Sequence, residues 1–252
     1  MQRRYKQLKI AVGTDIGRVR EINEDAFSVR KIGDDAYCVI VADGMGGHKA
    51  GQTASNMACS LVSDKISTEL ASGEFSMDKA FEVMRSAIET ANKTLYSNQL
   101  ADSALSGMGT TIVAAVVCGN RVYACNVGDS RLYYLDGGIT QITKDHSYVQ
   151  DLVDKGIITA DEAADHPNKN IITRAVGTEL NVEVDCFNVE CAPGSKIVMC
   201  TDGLSNFVSD EDMLRIVENN SPQAANKLLI DTANNNGGRD NITVINIDFD
   251  EV

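Results

Sequence analysis

The sequence predicts an α+β protein in which helices are layered on antiparallel sheets. Strand-like segments are grouped and joined by tight turns, as in the predicted hairpin at residues 26–42 and the predicted meander at residues 112–135. Apolar residues recur at helical spacing in two neighbouring segments, residues 52–70 and 80–95. Grouped strands and paired helices argue against the alternating strands and helices of a Rossmann fold.

The remaining elements follow from local signals along the chain. Residues 13–17 are rich in turn formers, which predicts a turn after the first strand. One helix is predicted after Ser209, which begins a capping pattern, and another after Ser221, which is followed by Pro222. Further strands are predicted at residues 8–12, 26–31, 36–42, 112–118, 121–127, 132–135, 195–200 and 242–245.

Length and charge define the class of protein. The 252 residues, 43% of them hydrophobic, are enough for one large or two small domains with a sizeable core. No repeat, linker or low-complexity stretch marks a boundary, so we expect a single domain over residues 1–252. The net charge of -13 argues against nucleic acid or an anionic membrane surface as the main partner.

The lack of a targeting pattern in the sequence and the cysteine usage predict a cytoplasmic protein. No apolar segment of sufficient length follows the basic residues 1–6, and no 18-residue apolar run predicts a membrane span. The seven cysteines include no CxxC motif, so we interpret them as reduced core residues. We therefore expect cytoplasmic localisation without membrane insertion.

Three carboxylates lie at predicted strand ends that are far apart in the sequence. Asp43 follows an apolar run and precedes the turn formers Gly44, Gly46 and Gly47. Asp202 follows the apolar residues 197–200, and Asp240 comes just before the last predicted strand. Carboxylates at strand ends, each beside a turn, are what a hard-cation site assembled from distant segments requires.

Other charged residues fall beside the same predicted elements. The hairpin carries Asp25 to the same end of the sheet as Asp43, and Glu24 and Asp129 also lie at strand ends or turns. Converging carboxylates repel one another unless cations neutralise them, and an all-oxygen ligand set suits Mg²⁺ or Mn²⁺ rather than zinc. With Arg20 as a donor for phosphate, the pattern indicates metal-assisted phosphoester hydrolysis. The alternative is that these residues only cap their own turns.

Residues 145–170 interrupt the regular pattern with two short helical segments, 146–155 and 159–164. An insertion of this length in a compact domain is either disordered or functional, for example as a lid. We favour a lid, because long loops often cover binding sites.

Seven motifs in fixed order span nearly the whole chain. They are Thr14-Asp15-x-Gly17-x-x-Arg20-x-x-Asn23-Glu24-Asp25, Val41-Ala42-Asp43-Gly44-Met45-Gly46-Gly47-His48, Gly109-Thr110-Thr111, Asn126-Val127-Gly128-Asp129-Ser130-Arg131, Ile172-Thr173-Arg174-Ala175-Val176-Gly177, Cys200-Thr201-Asp202-Gly203-Leu204 and Asp240-Asn241-Ile242-Thr243. Together they resemble the bacterial type 2C (PPM) metal-dependent protein phosphatases. The resemblance implies a four-layer αββα sandwich, with two mostly antiparallel sheets flanked by pairs of helices. It also implies hydrolysis of phosphoserine and phosphothreonine at a binuclear Mn²⁺ or Mg²⁺ centre.

The resemblance also implies a ligand role for residues that match the motifs. Asp43 would bridge both metals, Asp202 and Asp240 would complete one site, and Glu24 and the Gly44 carbonyl would serve the second. Such a pair of ions would activate a bridging water for direct attack on phosphorus, without a covalent phosphoenzyme.

Further roles follow from the same resemblance. Asp129 would bind a weaker third metal, Asp25 and Asn241 would orient the ligands and water from outside, and Arg20 would hold the substrate phosphate. Residues 145–170 correspond to the flap that family members place beside the active site.

The leaving alkoxide needs a proton donor, and two histidines are candidates. His48 is the first, although its spacing from Asp43 is longer than in eukaryotic members; a structural histidine serving the glycine turn is the alternative. His146, at the start of the predicted lid, is the second.

Three functions remain open at this point. The first is a phosphoprotein phosphatase, which by resemblance would oppose a bacterial Hanks-type serine/threonine kinase and act as a monomer on phosphorylated proteins. The second is a phosphatase-like scaffold without turnover, which the intact acidic set argues against. The third is a hydrolase of small phosphorylated metabolites.

Overall fold

The computed structural model describes residues 8–47, 49–71 and 75–249, and its secondary structure divides into antiparallel strands and helices. The strands are β1 (Lys9–Asp15), β2 (Asp25–Lys31), β3 (Ala36–Met45), β4 (Gly109–Thr110), β5 (Ile112–Cys118), β6 (Arg121–Val127), β7 (Arg131–Leu135), β8 (Ile139–Gln141), β9 (Asp185–Glu190), β10 (Lys196–Cys200) and β11 (Ile242–Asp248). The helices are α1 (Lys49–Glu69), α2 (Met77–Ala101), α3 (Tyr148–Asp154), α4 (Ala160–Ala164), α5 (Asp202–Ser205), α6 (Asp210–Glu218) and α7 (Pro222–Asn235), with a 3₁₀ turn at Ser103–Leu105.

The strands form two sheets. One has the order β1-β11-β10-β7-β8, and the other has the order β2-β3-β5-β6-β9, with β4 paired to β3. All pairs between the described strands are antiparallel. The predicted grouping of antiparallel strands is therefore confirmed.

Three apolar clusters separate four layers. Alternate residues of β3, such as Ile40, face α1 and α2, while Val39 and Val41 face the other sheet. A third cluster joins the outer face of the first sheet to α5, α6 and α7. Strands buried on both faces read as continuous apolar runs, which explains the composition of β3 and β5. The predicted αββα sandwich is confirmed.

The β2–β3 hairpin fixes the position of the first two acidic residues. Its register places Asp25 directly opposite Asp43, as the hairpin prediction required. Residues opposite each other share a face of the sheet, and residues two apart on one strand do so too. Asp43 therefore points the same way as Val41, into the end of the space between the sheets.

Several local expectations need correction. Residues 13–15 continue β1 instead of forming a turn, because they pair with β11 along their whole length. Gly44 also lies within β3 and pairs with β4, so the turn begins at Gly46 and Gly47, which have φ of 127° and 74°. The strand β9 was not predicted, because its outward-facing residues are polar and it forms a sheet edge.

The helix signals at the C-terminal end were accurate. Ser209 accepts a hydrogen bond from the Asp212 backbone at the start of α6, as its capping pattern predicts. Ser221 occupies the cap position of α7 and Pro222 its first turn, although the Ser221 side chain makes no capping hydrogen bond. Within the described ranges, no helix combines the length and apolarity that crossing a lipid bilayer requires.

Candidate active site

Asp25 is anchored across the gap between the two sheets. Its carboxylate accepts a hydrogen bond from the Thr201 hydroxyl at 2.8 Å, and that hydroxyl oxygen accepts one from the Thr243 backbone at 3.0 Å. Thr201 lies between β10 and α5, and Thr243 lies on β11. The contact therefore ties the acidic end of one sheet to the other sheet.

Asp43 and Asp202 face each other at this end of the molecule. Asp202 begins α5 directly after the turn at Thr201, and its carboxyl group lies within hydrogen-bonding distance of that of Asp43. Asp202 Oδ2 accepts a hydrogen bond from Asn206 at 2.9 Å, whereas Oδ1 is buried and receives no donor from the residues that the structure describes. Two facing acceptors must share a proton or a cation.

Asp240 and Asn241 close the site from the segment before β11. Asp240 accepts a 2.8 Å hydrogen bond from Arg20, and its other oxygen accepts one from the Asn241 backbone. The Asn241 side chain accepts from the backbone of Glu24 at 2.8 Å and donates to the carbonyls of Ile16 and Ile22. Asn241 therefore holds in place the loop that carries Arg20 and Glu24.

Close backbone packing places Glu24 beside β3. The Gly44 backbone donates to the Glu24 carbonyl at 3.1 Å, and Ser55 of α1 donates to the same carbonyl at 2.5 Å. A Cβ atom on Gly44 would lie 2.1 Å from the Gly51 carbonyl oxygen and 2.6 Å from that of Glu24. Only glycine at position 44 lets these three segments approach so closely.

Asp129 enters the site from the turn after β6. It is only 9% exposed. A hydroxyl network fixes this turn relative to Asp43, because Thr111 bonds Ser130 at 2.7 Å and accepts from the Asp43 backbone at 2.9 Å. The Thr111 backbone also donates to the Asp43 carbonyl.

Burial and mutual repulsion raise the pKa of these carboxyl groups. Burial is the largest cause for Asp25, whose pKa rises to about 7, and for Asp129, whose pKa rises to about 8. The pKa of Asp43 is well above its ordinary value and that of Asp202 is raised, first by burial and then by neighbouring carboxylates that include Asp240. The protein alone does not neutralise this cluster, so it favours protons or bound cations.

The donor set fits divalent cations that prefer oxygen. Asp25 and Asp202 each keep one buried carboxylate oxygen that accepts no hydrogen bond from any described residue. Within the part of the chain that the structure describes, no three His, Cys, Asp or Glu side chains are already gathered tightly enough to form a full ligand set. Mg²⁺ and similar ions complete their coordination with water and other oxygen ligands, so one or two carboxylates for each ion can suffice.

A cleft of ≈ 570 Å³ joins the acidic site to residues 145–170. Asp129 and Asp202 line one side, and Ser147, Ala163 and Lys169 are among the residues of the other. The two short helices predicted in this segment are present as α3 and α4, and Thr159 and Glu162 form a capping box on α4. The segment is therefore ordered and borders the site.

His146 is occupied by structural contacts. Its Nδ1 accepts from the Gly128 backbone at 3.0 Å, and its Nε2 lies 3.2 Å from Asp185 and 3.0 Å from Arg174. Burial lowers its pKa, although the bond to Asp185 opposes this effect. Both ring nitrogens are engaged by Gly128, Asp185 and Arg174, none of which is a predicted metal ligand, so this arrangement argues against His146 as the general acid.

The other predicted site residues, except His48, lie together at one end of the two sheets. Glu24, Asp25, Asp43, Asp129, Asp202 and Asp240 surround one end of the sheets, with Arg20, Gly44 and Asn241 beside them. His48 lies outside the described residues. The sequence analysis assigned no role to Thr111, Ser130 and Thr201, although each stands in one of the seven motifs. Ser130 and Thr201 are also direct neighbours of predicted ligand aspartates.

The chain resembles known phosphatases along most of its length. Residues 12–227 match the family described as Protein phosphatase 2C. The chain is 41% identical over 241 residues to the serine/threonine phosphatase stp of Listeria monocytogenes serovar 1/2a, covering 94% of each. It is 36% identical over 239 residues to the serine/threonine protein phosphatase PstP of Mycobacterium tuberculosis, covering 94% of this chain and 44% of that protein.

Solved structures show the same architecture. The S. agalactiae serine/threonine phosphatase matches with a TM-score of 0.88 at 35% identity, covering 96% of this chain and 99% of that one. The catalytic domain of PstP in complex with two manganese ions matches with a TM-score of 0.84 at 34% identity, covering 97% of this chain and 99% of that one. The chain belongs to the protein phosphatase 2C family, among the bacterial type 2C (PPM) metal-dependent serine/threonine phosphatases.

Proposed function

We propose that this protein removes phosphate from phosphoserine and phosphothreonine in proteins with the help of two Mn²⁺ or Mg²⁺ ions. The observation that carries the proposal is the close approach of Asp43 and Asp202 at a buried acidic site. When bound, the ions supply a nucleophilic water near neutral pH and neutralise charge on the phosphate. Related phosphatases and the manganese-containing PstP structure support this choice.

The acidic residues divide between two cation positions. Asp43 is proposed to bridge both ions, with Asp202 and Asp240 at one and Glu24 and the Gly44 carbonyl at the other. This division is supported by the placement of Asp43 between the segments that carry Asp202 and Glu24.

Neighbouring residues are proposed to complete and orient the site. Asp129 is assigned to a third, weaker cation, because it is buried near Asp202 and borders the cleft. Asp25 and Asn241 hold the surrounding ligands in place through Thr201 and the Glu24 backbone.

Arg20 is proposed to bind the phosphate of the substrate. Its side chain is 46% exposed and uses one nitrogen to donate to Asp240. A guanidinium group has five N–H donors, so the remaining donors can bind two phosphate oxygens. The bond to Asp240 keeps the group at the edge of the acidic site.

His48 is proposed as the donor of a proton to the leaving oxygen. It follows Gly46 and Gly47 directly in the sequence, a few residues after Asp43. His48→Asn is expected to reduce kcat by about 10²-fold, the ordinary contribution of a general acid. The reduction should be largest for a poor leaving group and small for an aryl phosphate, whose leaving group needs no proton; an equal reduction for both substrates would contradict the role.

We also propose how the whole chain is organised. It forms one catalytic domain over residues 1–252, and residues 145–170 act as a flap beside the active site. The cleft shared by this segment and the acidic site supports the flap. The protein is proposed to act as a cytoplasmic monomer on substrates of a cognate serine/threonine kinase, without nucleic-acid partners.

One comparison of substrates tests the proposed function. Hydrolysis of a phosphothreonine peptide and of sugar phosphates is measured with Mn²⁺, after chelation, and with Mn²⁺ restored, for the wild type and Asp202→Asn. We expect the wild type to prefer the peptide, to lose activity after chelation and to regain it when Mn²⁺ is restored. Asp202→Asn should be at least about 10²-fold less active with Mn²⁺. Preference for sugar phosphates would indicate a metabolite hydrolase, and no turnover of any substrate would indicate a scaffold.

A further inference from the structure

Two cysteines lie face to face on neighbouring strands, away from the acidic site. Cys125 of β6 and Cys186 of β9 are direct partners in the antiparallel register, and their Sγ atoms lie 2.6 Å apart. Side chains directly opposite each other in such a pair have Cβ atoms about 4.5–5.5 Å apart. This Cβ separation begins where the range found in disulfides, about 3.5–4.5 Å, ends, so a bond between the two sulfurs requires only a small movement.

The two thiols differ in access to solvent. Cys125 is fully buried in the cluster between the sheet and the helices α1 and α2. Cys186 is half-buried and lies on β9, the edge strand of the sheet. A reagent from solvent therefore reaches Cys186 first.

The surroundings of Cys186 favour its thiolate form. The hydrogen bond with the Cys125 thiol is the largest cause that lowers the pKa of Cys186, and the Arg85 guanidinium, 3.7 Å from the sulfur, lowers it further. Partial burial and the Asp185 charge oppose these effects. The pKa of Cys125 is raised by its bond to Cys186 and by burial. Thiolates next to arginine in partly exposed positions are the cysteines that react with oxidants.

We propose that Cys125 and Cys186 form a reversible redox site that is oxidised to an intramolecular disulfide by a peroxide. The Cys186 thiolate attacks one oxygen of hydrogen peroxide, so that the O–O bond breaks, hydroxide leaves, and sulfur is oxidised to a sulfenic acid. The Cys125 thiol then attacks this sulfur, and the sulfenic oxygen leaves as water with the thiol proton. The net reaction converts two thiols and one peroxide into one disulfide and two waters.

The pair is separate from the chemistry of the acidic site. No residue proposed as a metal ligand belongs to it, and its readout is the state of the thiols rather than phosphate release. Failure of this proposal would therefore leave the proposed phosphatase function untouched, and failure of that function would leave this one untouched.

Peptide mapping of the native protein tests the pair directly. The folded chain is treated with hydrogen peroxide, alkylated under denaturing conditions and digested without reductant. We expect two of the seven thiols to become unreactive and a single cross-linked peptide pair to contain positions 125 and 186. Dithiothreitol should restore both thiols. Retention of all seven thiols, or a cross-link between other cysteines, would overturn the proposal.

Single variants test the order of the two steps. In Cys125→Ala, a dimedone-type reagent should label Cys186 as a sulfenic acid, whereas in Cys186→Ser the buried Cys125 should not be labelled. Cys118→Ser, which removes another half-buried thiol of the same sheet, should still form the cross-link. Labelling of Cys125 in Cys186→Ser would show that the assigned order is wrong.

Arg85→Gln keeps both sulfurs and removes only the neighbouring charge. Because Arg85 is exposed on α2, this variant should fold normally. We expect thiol loss to be slower than in the wild type at neutral pH and to reach the same end point. An unchanged rate would contradict the assignment of Cys186 as the activated thiol.

Discussion

Two clusters of charge lie close together in this molecule, and they are neutralised in different ways. In the first, burial and then neighbouring carboxylates raise the pKa of Asp25, Asp43, Asp129 and Asp202. Two buried oxygens of this cluster receive no donor from the described residues. Arg20 reaches this cluster only at its edge, through Asp240. The acidic site therefore lacks enough positive charge of its own.

In the second cluster, Arg131 and Asp145 satisfy each other. The Arg131 guanidinium donates three hydrogen bonds to the Asp145 carboxylate at 3.1, 3.1 and 2.7 Å, and one to the Tyr133 hydroxyl at 2.9 Å. Gln141 donates to the same carboxylate at 2.8 Å. This ion pair needs no external ion.

The difference distinguishes a structural ion pair from a functional acidic site. The carboxylate of Asp145, paired with Arg131, ties β7 to the start of residues 145–170. Carboxylates that face one another, by contrast, cost stability until something else binds between them. Proteins retain such unneutralised groups at functional sites. Substitution by asparagine should therefore have opposite effects on the two clusters.

The largest expected effect is on activity at the acidic site. Asp202→Asn keeps the shape of the side chain and removes a charge that we propose holds a cation. Hydrolysis of a phosphothreonine peptide with Mn²⁺ should decrease by at least about 10²-fold, the scale of losing a main electrostatic contribution to catalysis. Without metal, the variant should unfold at a higher temperature than the wild type. A variant that retains full activity would show that Asp202 is not a ligand.

The next largest effect is on stability at the paired cluster. Asp145→Asn leaves the mostly buried Arg131 without its charged partner, which should reduce the free energy of unfolding by about 3 kcal/mol. Chemical denaturation of the metal-free protein measures this change. If Asp145→Asn and Asp202→Asn shift stability in the same direction, the distinction between the clusters is wrong.

The metal-free protein should become less stable as the pH rises from about 5 to 8. The folded pKa of Asp25 is raised from 3.8 to about 7 and that of Asp129 to about 8, so both groups are protonated in the folded chain below these values. A group whose pKa is higher in the folded than in the unfolded chain stabilises the fold fully at a pH below its unfolded pKa. This stabilisation is lost as the pH rises to the folded pKa, by roughly 1.4 kcal/mol for each pH unit and each group.

Thermal unfolding in a chelating buffer at several pH values measures this loss. Mn²⁺ should reverse the trend, because cations compete with protons for the same oxygens. A melting temperature that increases steadily from pH 5 to 8 without metal would contradict the assignment of raised pKa values.

The smallest expected effect is at the edge of the acidic site. Arg20→Ala should raise KM for a phosphopeptide by about tenfold or more, because a charge-assisted hydrogen bond contributes roughly 1.5–3 kcal/mol. Its effect on stability should be under about 1 kcal/mol, because the pair with Asp240 is half-exposed. Arg20→Lys serves as the matched variant that keeps the charge but loses the paired donors. An unchanged KM in both variants would remove Arg20 from phosphate binding.

Local patterns predicted most of the fold and the acidic residues. The hairpin that places Asp25 opposite Asp43 was predictable, because a short turn fixes both the register and the end of the sheet at which the residues lie. The extension of β1 through residues 13–15 was not, because pairing with β11 outweighs the local preference for a turn.

Contacts between distant segments lay beyond the sequence patterns. The Thr201 hydroxyl reaches Asp25 only because the two sheets stack at this end, 176 residues apart along the chain. The pairing of Cys125 with Cys186 depends likewise on β9. This edge strand was not predicted, because its outward-facing residues are polar. Such contacts depend on tertiary register, which no local spacing encodes.

Metal loading measured together with turnover tests the central claim most directly. The wild-type protein is stripped with a chelator until elemental analysis finds no metal, and Mn²⁺ is then added in steps while bound metal and hydrolysis of a phosphothreonine peptide are followed. We expect no turnover in the stripped protein and turnover that rises with bound Mn²⁺, with weaker binding in Asp43→Asn. Full turnover by the stripped protein would contradict the claim that these carboxylates serve a metal-dependent reaction.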